Sequence, residues 1–285
     1  TRLSRSVLIA AQPKNFSDLL QIEGLTHGTG VWMGNADELI KSGICTISDV
    51  IGCRDDIMMT LIHKYGLEKS LAFKIMEFTR KNKKGLQTPA EMVSAMEEKD
   101  VPRWYIDSLQ KIRYMFPKAH AAAYATDAIR LGWYKIHMPL VFYAAYLTAA
   151  PGGFDATIVG RGPKGIKEKI KEINENKDAT ANEKSLVPTL KLANEAIQRG
   201  IKFLPVNFFH SDAFKFLPED GNIRMPFNCL PGLGDTAAQK IQEARDTGEI
   251  FSVEDLQDRS QVSKAVLEIL RVNGALDGLS ETNQI

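Results

Sequence analysis

Cysteine is scarce in this chain, and its few thiols are not placed for a structural role. Among 285 residues there are three cysteines, Cys45, Cys53 and Cys229, and no C-x-x-C pair occurs. An odd number of cysteines without a C-x-x-C pair excludes a disulfide framework and a cysteine-based zinc site. The cysteine usage therefore indicates a reducing compartment.

Long hydrophobic runs are also missing. No segment offers the roughly 18 or more apolar residues that a membrane-spanning helix requires. The most apolar stretch, residues 119–150, is interrupted by Asp127, Arg130 and Lys135. Hydrophobic residues make up 44% and charged residues 25% of the chain, which is ordinary for a globular protein. We expect one large domain or two to three small ones, and no membrane partner.

Net charge is nearly absent. The chain has 36 Lys and Arg against 35 Asp and Glu, a formal net charge of +1. Nucleic-acid-binding domains are often strongly basic, so an argument for such a partner must rest on local groups. One such group is the basic run at 80–84, which contains Lys81, Lys83 and Lys84. It is compatible with a phosphate backbone contact, and equally with a solvated helix end.

The stretch FPKAHAAAY, residues 116–124, separates two helix-compatible segments. The first segment covers residues 102–115, and Pro117 cannot continue it. Lys118 and His120 therefore fall where a new helix begins, and free N–H groups and the helix dipole favour an anion there. This arrangement is typical of a phosphate or nucleotide contact. The alternative is an alanine-rich packing helix with two polar surface residues.

Two more features of the first half are compatible with ligand binding. A short helix at 16–20, with Ser17 as its predicted N-cap, leads into a glycine-rich bend at 24–32 that allows close backbone approach. Asp55 is the predicted N-cap of a later helix, so Arg54 precedes a helix N-terminus and can grip a phosphate through its guanidinium. The alternatives are a plain turn and an ordinary solvated arginine.

The middle of the chain contains GRGPKG at 160–165, which matches the dinucleotide-binding pattern G-x-G-x-x-G. We reject that interpretation because Pro163 lies inside the loop and no βαβ unit follows. Charged amphipathic patterns instead predict helices over 166–176 and 186–200, with a polar loop at 179–185 between them.

The pattern changes after residue 200. A strand with a proline bend is predicted over 201–207. A β-hairpin is then predicted from residues 213–217 and 222–227, with the turn at 218–221.

The last segment contains LPGLGD at 230–235, followed by a predicted helix over 236–245. A hydrophobic residue between two glycines in front of a helix is typical of a helix-hairpin-helix, in which backbone N–H groups face a DNA phosphate. Such contacts do not depend on base sequence. A second unit over 251–276 favours this interpretation over the alternative, a plain helical turn.

Six motifs, in order and spacing, resemble the C-terminal part of the family C bacterial replicative DNA polymerases, most closely the PolC type of low-GC Gram-positive bacteria. The resemblance runs from about Phe16 to the C-terminus. The motifs are GLTHGTGVW (24–32), CRDDIM (53–58), LAFKIME (71–77), FPKAHAAAY (116–124), PGLG (231–234), and EDLQDR with NGALDGL (254–259 and 273–279).

The resemblance implies a mainly α fold, in which a multi-helix fingers domain is followed by a small α+β region and tandem helix-hairpin-helix motifs. The implied divisions are a fingers domain at 16–150, a helical connecting region at 151–207, a duplex-binding domain with the β-hairpin at 208–279, and a tail at 280–285. Residues 1–15 are expected to be a junction segment of no clear role.

The resemblance also implies the site residues. Residues expected to contact the incoming deoxynucleoside triphosphate (dNTP) are Arg54, Lys118 and His120, with Phe116 and Tyr124 shaping the pocket and Thr26, His27 and Gly28 forming its backbone wall. Residues expected to contact DNA are Gly232, Gly234, Lys240, Lys81, Lys83 and Lys84.

One family feature is missing, because this chain contains no Asp-x-Asp pair. The family's catalytic Mg²⁺ ions are held by aspartates of a palm domain, so we expect this chain not to polymerise DNA alone. Implied partners are primer–template DNA, dNTP, the rest of the polymerase and, for the parent enzyme, the sliding clamp, in the bacterial cytoplasm. The alternative functions are a non-enzymatic helix-hairpin-helix DNA-binding module of repair or recombination, and a purely structural helical scaffold.

Overall fold

The mainly α fold class is confirmed. The computed structural model describes residues 2–150 and 153–283. Residues 151–152, at the predicted start of the connecting region, and 284–285, in the predicted tail, lie outside the described residues. The chain divides into two compact units, Thr1–Arg130 (unit 1) and Leu131–Ile285 (unit 2). The finer predicted divisions at residues 15, 150, 207 and 279 stay a prediction.

Unit 1 is an all-helical body around one apolar core. Ile57, Leu61 and Ile75 are fully buried where α4 packs on α5, and full burial of one such side chain contributes about 1.5–3 kcal/mol. The helices are α1 (Arg2–Ala11), α2 (Phe16–His27), α3 (Asp37–Lys41), α4 (Arg54–His63), α5 (Lys69–Arg80), α6 (Ala90–Glu97), α7 (Arg103–Lys111) and the first part of α8 (Lys118–His137).

Unit 2 packs helices around a small three-stranded sheet of order β1-β3-β2. Strand β1 is parallel to β3, whereas β2 is antiparallel to it with Leu217 opposite Arg224. Phe208 and Phe227 are buried at the centre of the core. The elements are α9 (Pro139–Ala149), α10 (Ala156–Gly160), α11 (Gly162–Glu175), α12 (Ala181–Gln198), β1 (Phe203–Leu204), β2 (Leu217–Glu219), β3 (Asn222–Arg224), α13 (Asp235–Asp246), α14 (Val253–Ser260) and α15 (Lys264–Val272).

Helix α2 is longer than the sequence pattern predicts, so the bend at 24–32 begins only after His27. Gly24 is part of the helix, and a Cβ there would lie 2.5 Å from the Gly52 carbonyl oxygen. Its glycine therefore serves close packing of α2 rather than a turn. The predicted N-cap Ser17 is also wrong, because Asn15 accepts the N–H of Asp18 at 3.0 Å.

Helix α7 is shorter than predicted, because residues 112–116 are extended and pair with other loops. Arg113 donates its N–H to the Thr29 carbonyl at 2.9 Å, which helical backbone could not do. The predicted N-cap of α4 is likewise wrong. Helix α4 begins at Arg54 with Cys53 as the cap position, and Asp56 accepts the Cys53 N–H at 2.9 Å.

In unit 2 the predicted polar loop at 179–185 is wrong, since α12 begins within it through a capping box of Thr180 and Glu183. The predicted strand at 201–207 shrinks to two residues. The hairpin is confirmed but is shorter, and its turn is Asp220-Gly221 with φ of 47° and 77°. Positive φ at both turn positions matches the right-handed twist of the strands. No helix in the described part of the chain is long and apolar enough to span a membrane.

Candidate nucleotide and DNA interface

Three segments of unit 1 meet at one place: the end of α2, the start of α4, and the extended residues 112–117 that lead into α8. Backbone hydrogen bonds hold them together. Thr29 donates its N–H to the Tyr114 carbonyl at 2.9 Å, and Arg54 donates its N–H to the Phe116 carbonyl at 3.2 Å. The backbone of the predicted nucleotide-binding motifs is therefore joined directly.

Gly30 allows this approach. Its φ is +71°, and a Cβ there would lie closer than 3.0 Å to the carbonyl oxygen of Lys111. A side chain would be strained by the backbone conformation and blocked by backbone atoms at the same time. Gly28, predicted as part of the backbone wall, is the C-cap of α2 and donates its N–H to Gly24 at 3.2 Å.

Four predicted site residues form an aromatic cluster. The His27 ring stacks on Phe116 with centroids 5.1 Å apart and lies parallel to Tyr124 at 6.3 Å. Phe116 also meets the edge of His120 at 5.5 Å. Tyr124 keeps 55% of its surface exposed, so the cluster presents an aromatic surface to solvent. The Thr26 hydroxyl donates to the Glu23 carbonyl of its own helix at 3.2 Å and lies 3.1 Å from His27 Nδ1.

Lys118 is the first residue of α8, as predicted within one position, but it is not free. Its ammonium lies 2.7 Å from Asp56 Oδ1, and its backbone N–H donates to Asp55 Oδ2 at 2.8 Å. The hydrogen bond to Asp56 raises the pKa of Lys118 above its usual value. The carboxylate of Asp55 therefore caps α8 at the position where the sequence predicts an external anion.

Arg54 lies at the first position of α4 and is half-buried, with Nε 3.8 Å from Asp55 Oδ2. Arg54, Lys118 and His120 thus lie around the start of α8, although 66 positions separate the first from the last. The sequence reasoning missed Asp55 and Asp56 as ion-pair partners. The signal was the acidic pair directly after Arg54, but only the fold brings it to Lys118.

The predicted DNA contacts of the basic run are unequal. Lys81 lies 2.7 Å from Glu77, which also pairs with Arg80, and hydrogen bonds from Arg80 and then Lys81 lower the pKa of Glu77 to about 2. Lys83 and Lys84 are exposed in the turn after α5. Lys81 is exposed as well, but its ammonium is ion-paired with Glu77.

In unit 2, residues 230–234 form a tight hairpin in front of α13. Leu233 is buried, and its N–H donates to the Leu230 carbonyl at 3.0 Å. Gly232 has φ of +86°, and Gly234 is the extended N-cap of α13. A Cβ on Gly234 would meet no atom within 4 Å, so this glycine leaves open space at the helix N-terminus. Lys240 is exposed on α13.

The second hairpin joins α14 to α15 without a glycine. Gln261 adopts the left-handed conformation with φ of 54°, and the Ser263 side chain accepts the Val266 N–H at 3.3 Å. Lys264 begins α15. This turn was missed as a candidate contact because the glycine pattern of the first hairpin is not repeated.

Comparison with known proteins gives a family match within each unit. Residues 1–100 match the family model for the bacterial DNA polymerase III alpha subunit finger domain, and residues 200–284 match that for the helix-hairpin-helix motif. The whole chain aligns with the PolC-type DNA polymerase III of Halalkalibacterium halodurans at 51% identity. The resemblance to PolC-type polymerases is confirmed. Identity is 49% to the protein of Bacillus subtilis and 48% to that of Listeria monocytogenes, again over the whole chain.

The chain spans 20% of the length of each of these PolC-type relatives. The match to the finger-domain family begins at residue 1, so it includes the segment 1–15. Among the residues that the structure describes, no group of three or more His, Cys, Asp or Glu side chains is arranged to hold a metal ion.

Proposed function

We propose that this chain supplies the fingers and the duplex-binding region of a replicative DNA-directed DNA polymerase. In this role it binds the incoming dNTP and the primer–template duplex for nucleotidyl transfer to a primer 3′ end. One observation carries the proposal: Arg54, Lys118 and the His27–Phe116–Tyr124 cluster, distant in sequence, lie around one helix N-terminus.

The chemistry of this site suits a nucleoside triphosphate. Guanidinium and ammonium groups beside a helix N-terminus provide charge-assisted hydrogen bonds for phosphate oxygens. The partly exposed rings of His27 and Tyr124 offer a surface for the base or sugar, and aromatic stacking contributes about 1–3 kcal/mol per base. These residues bind and orient the nucleotide, while other groups carry the chemical step.

The catalytic Mg²⁺ ions of the parent enzyme, in this proposal, are held by palm carboxylates that this chain does not contain. The chain alone is then unable to extend a primer. Other proposed partners are the remainder of the polymerase and the sliding clamp, and the proposed compartment is the bacterial cytoplasm.

We assign duplex binding to the first hairpin of unit 2, residues 230–234. Gly234 leaves the α13 N-terminus open to a phosphate, and Lys240 adds positive charge along the same helix. Backbone N–H contacts of this kind bind all sequences alike, as a replicative enzyme requires. The exposed Lys83 and Lys84 of unit 1 are proposed as additional phosphate contacts.

The alternative, a helix-hairpin-helix module of repair or recombination, accounts for unit 2 alone. It has no use for a fingers-type unit or for the cluster around Phe116. Binding of dNTP therefore separates the two functions, since the repair module predicts duplex binding without a nucleotide site.

The decisive experiment places Arg54→Ala in the complete polymerase. We expect the KM for dNTP to rise about tenfold or more, because a charge-assisted hydrogen bond contributes roughly 1.5–3 kcal/mol, with unchanged affinity for primer–template. Arg103→Ala, which removes a 70% exposed arginine from α7, is the matched control and should leave both quantities unchanged. An unchanged KM for Arg54→Ala would remove this residue from the site.

A further inference from the structure

The start of α8 already holds a carboxylate. As a 20-residue helix, α8 leaves its first N–H groups without intrahelical acceptors. Asp55 Oδ2 accepts the first of them, from Lys118, at 2.8 Å. The next two N–H groups, of Ala119 and His120, lie at the same helix end.

Asp56 forms an ion pair with the side chain of the same lysine. Its Oδ1 lies 2.7 Å from Lys118 Nζ, and its Oδ2 accepts the Cys53 N–H at 2.9 Å. The side chain of Asp56 is 13% exposed, against 49% for Lys118. Two adjacent carboxylates on α4 therefore hold both donors of Lys118, the backbone N–H and the ammonium.

A phosphate group bound at Lys118 would use the same two donors, the backbone N–H and the ammonium. A carboxylate and a phosphate oxygen accept hydrogen bonds from a helix N-terminus in the same way, and both are favoured by the dipole. One N–H cannot bond to both acceptors in full at once, so a phosphate that accepts the Lys118 N–H displaces Asp55 from it.

We propose that Asp55 and Asp56 are positioning residues that compete with the triphosphate of the incoming nucleotide for the two donors of Lys118. In the empty site, the two carboxylates hold Lys118 in place and accept its hydrogen bonds. When the triphosphate binds, they release Lys118 to it. This inference rests on the proposed function. It adds to that function what the triphosphate displaces. It also implies that the site binds ligands with several phosphate charges more tightly than ligands with one.

The exchange fits the chemistry of both partners. The carboxylates keep the Lys118 ammonium protonated and hydrogen-bonded in the empty site. A triphosphate carries more negative charge than one carboxylate, so it can compete where a single phosphate binds weakly. The exposed position of Asp55, at 44%, lets it move into solvent when it is displaced.

The test measures binding of inorganic tripolyphosphate to this chain by calorimetry at about 0.15 M salt, where charges more than roughly 8 Å apart are largely screened. Asp55→Asn keeps an oxygen that can cap α8 but removes its charge. We expect it to bind tripolyphosphate about tenfold more tightly than wild type, because a neutral acceptor competes with roughly half the strength of a charged one. Asp56→Asn should tighten binding in the same direction.

Asp127→Asn is the matched control. It removes the same charge from α8 nine positions after Lys118, about 13 Å along the helix axis. Lys118→Gln should weaken binding in every background. Tighter binding is a gain that a merely structural role of Asp55 would not produce, since a distorted site loses affinity.

The outcomes separate this inference from the proposed function. If wild type binds tripolyphosphate and Asp55→Asn binds no more tightly than Asp127→Asn, the competition is refuted and the nucleotide site stands. If wild type and both aspartate variants bind none, the triphosphate site itself is refuted.

A second measurement needs no variant. In ¹⁵N-labelled wild type, the Lys118 amide resonance should move on addition of tripolyphosphate and saturate with the calorimetric affinity. A bound chain with an unmoved Lys118 amide would overturn the exchange.

Discussion

Replacing Gly30 by alanine should destabilise unit 1 far more than the same replacement at Gly43. Both glycines have positive φ, +71° and +73°, so both variants pay the left-handed penalty of about 1–2 kcal/mol. A Cβ at Gly43 meets nothing within 4 Å, whereas one at Gly30 would lie closer than 3.0 Å to the Lys111 carbonyl oxygen. The difference between the two variants therefore isolates the steric clash.

The magnitude follows from what must move. Reduced freedom of the unfolded chain returns about 0.4–1 kcal/mol in each variant, so Gly43→Ala should cost only about 1 kcal/mol. Gly30→Ala adds overpacking of about 1–3 kcal/mol. It also strains two hydrogen bonds, Thr29 to Tyr114 and Arg113 to Thr29, each contributing about 1 kcal/mol. We expect the free energy of unfolding to fall by about 2 kcal/mol or more beyond the Gly43→Ala value.

Urea unfolding followed by tryptophan fluorescence measures this difference, because Trp32 is buried and lies two positions from Gly30. The same displacement should separate the His27 and Phe116 rings, which stack at 5.1 Å. Equal destabilisation of the Gly30 and Gly43 variants would refute the reasoning, since it would mean that the Lys111 backbone imposes no constraint.

Three further results are expected. Gly234→Val should weaken duplex binding for all DNA sequences alike, which a filter-binding titration measures. Gly160→Val, at an equally open glycine of unit 2, is the control. A loss of binding for some sequences only would contradict phosphate contact. Burial raises the pKa of the Cys53 thiol to about 12, so the thiol stays neutral at pH 8. It should therefore resist iodoacetamide until urea unfolds the chain, and labelling of Cys53 in the folded chain would contradict this prediction. Arg224→Ala removes the ion-pair partner of Glu219 and should lower the stability of unit 2 by about 2 kcal/mol. This loss is smaller than for a fully buried pair because Glu219 reaches solvent. Thermal unfolding measures the loss, and an unchanged midpoint would argue against this ion pair as a source of stability.

Local sequence patterns were sufficient for many elements. Local patterns predicted the start of α8 and both ends of α13 to within one residue, and the hairpin turn was predicted at 218–221, which contains Asp220-Gly221. These elements depend on side-chain periodicity and on turn residues, both of which are local properties.

Local patterns failed where backbone pairs with distant backbone. Residues 112–116 carry helix-compatible side chains, yet their hydrogen bonds go to Thr29 and Arg54. Gly24 suggested a turn, but it is helical because another segment packs against it. Tertiary contacts override helix propensity in such places, since each residue contributes less than about 1 kcal/mol of propensity.

The sequence by itself determined the chemical inventory of this protein: the cations, aromatics and glycines of its motifs, the hairpins before its C-terminal helices, and the family they resemble. Residue types and short spacings are sufficient for that. Only the tertiary structure decided what surrounds Lys118. It places Asp55 and Asp56 of α4 on both of that residue's donors, because ion pairing depends on distances of a few ångströms that a separation of 62 residues does not reveal.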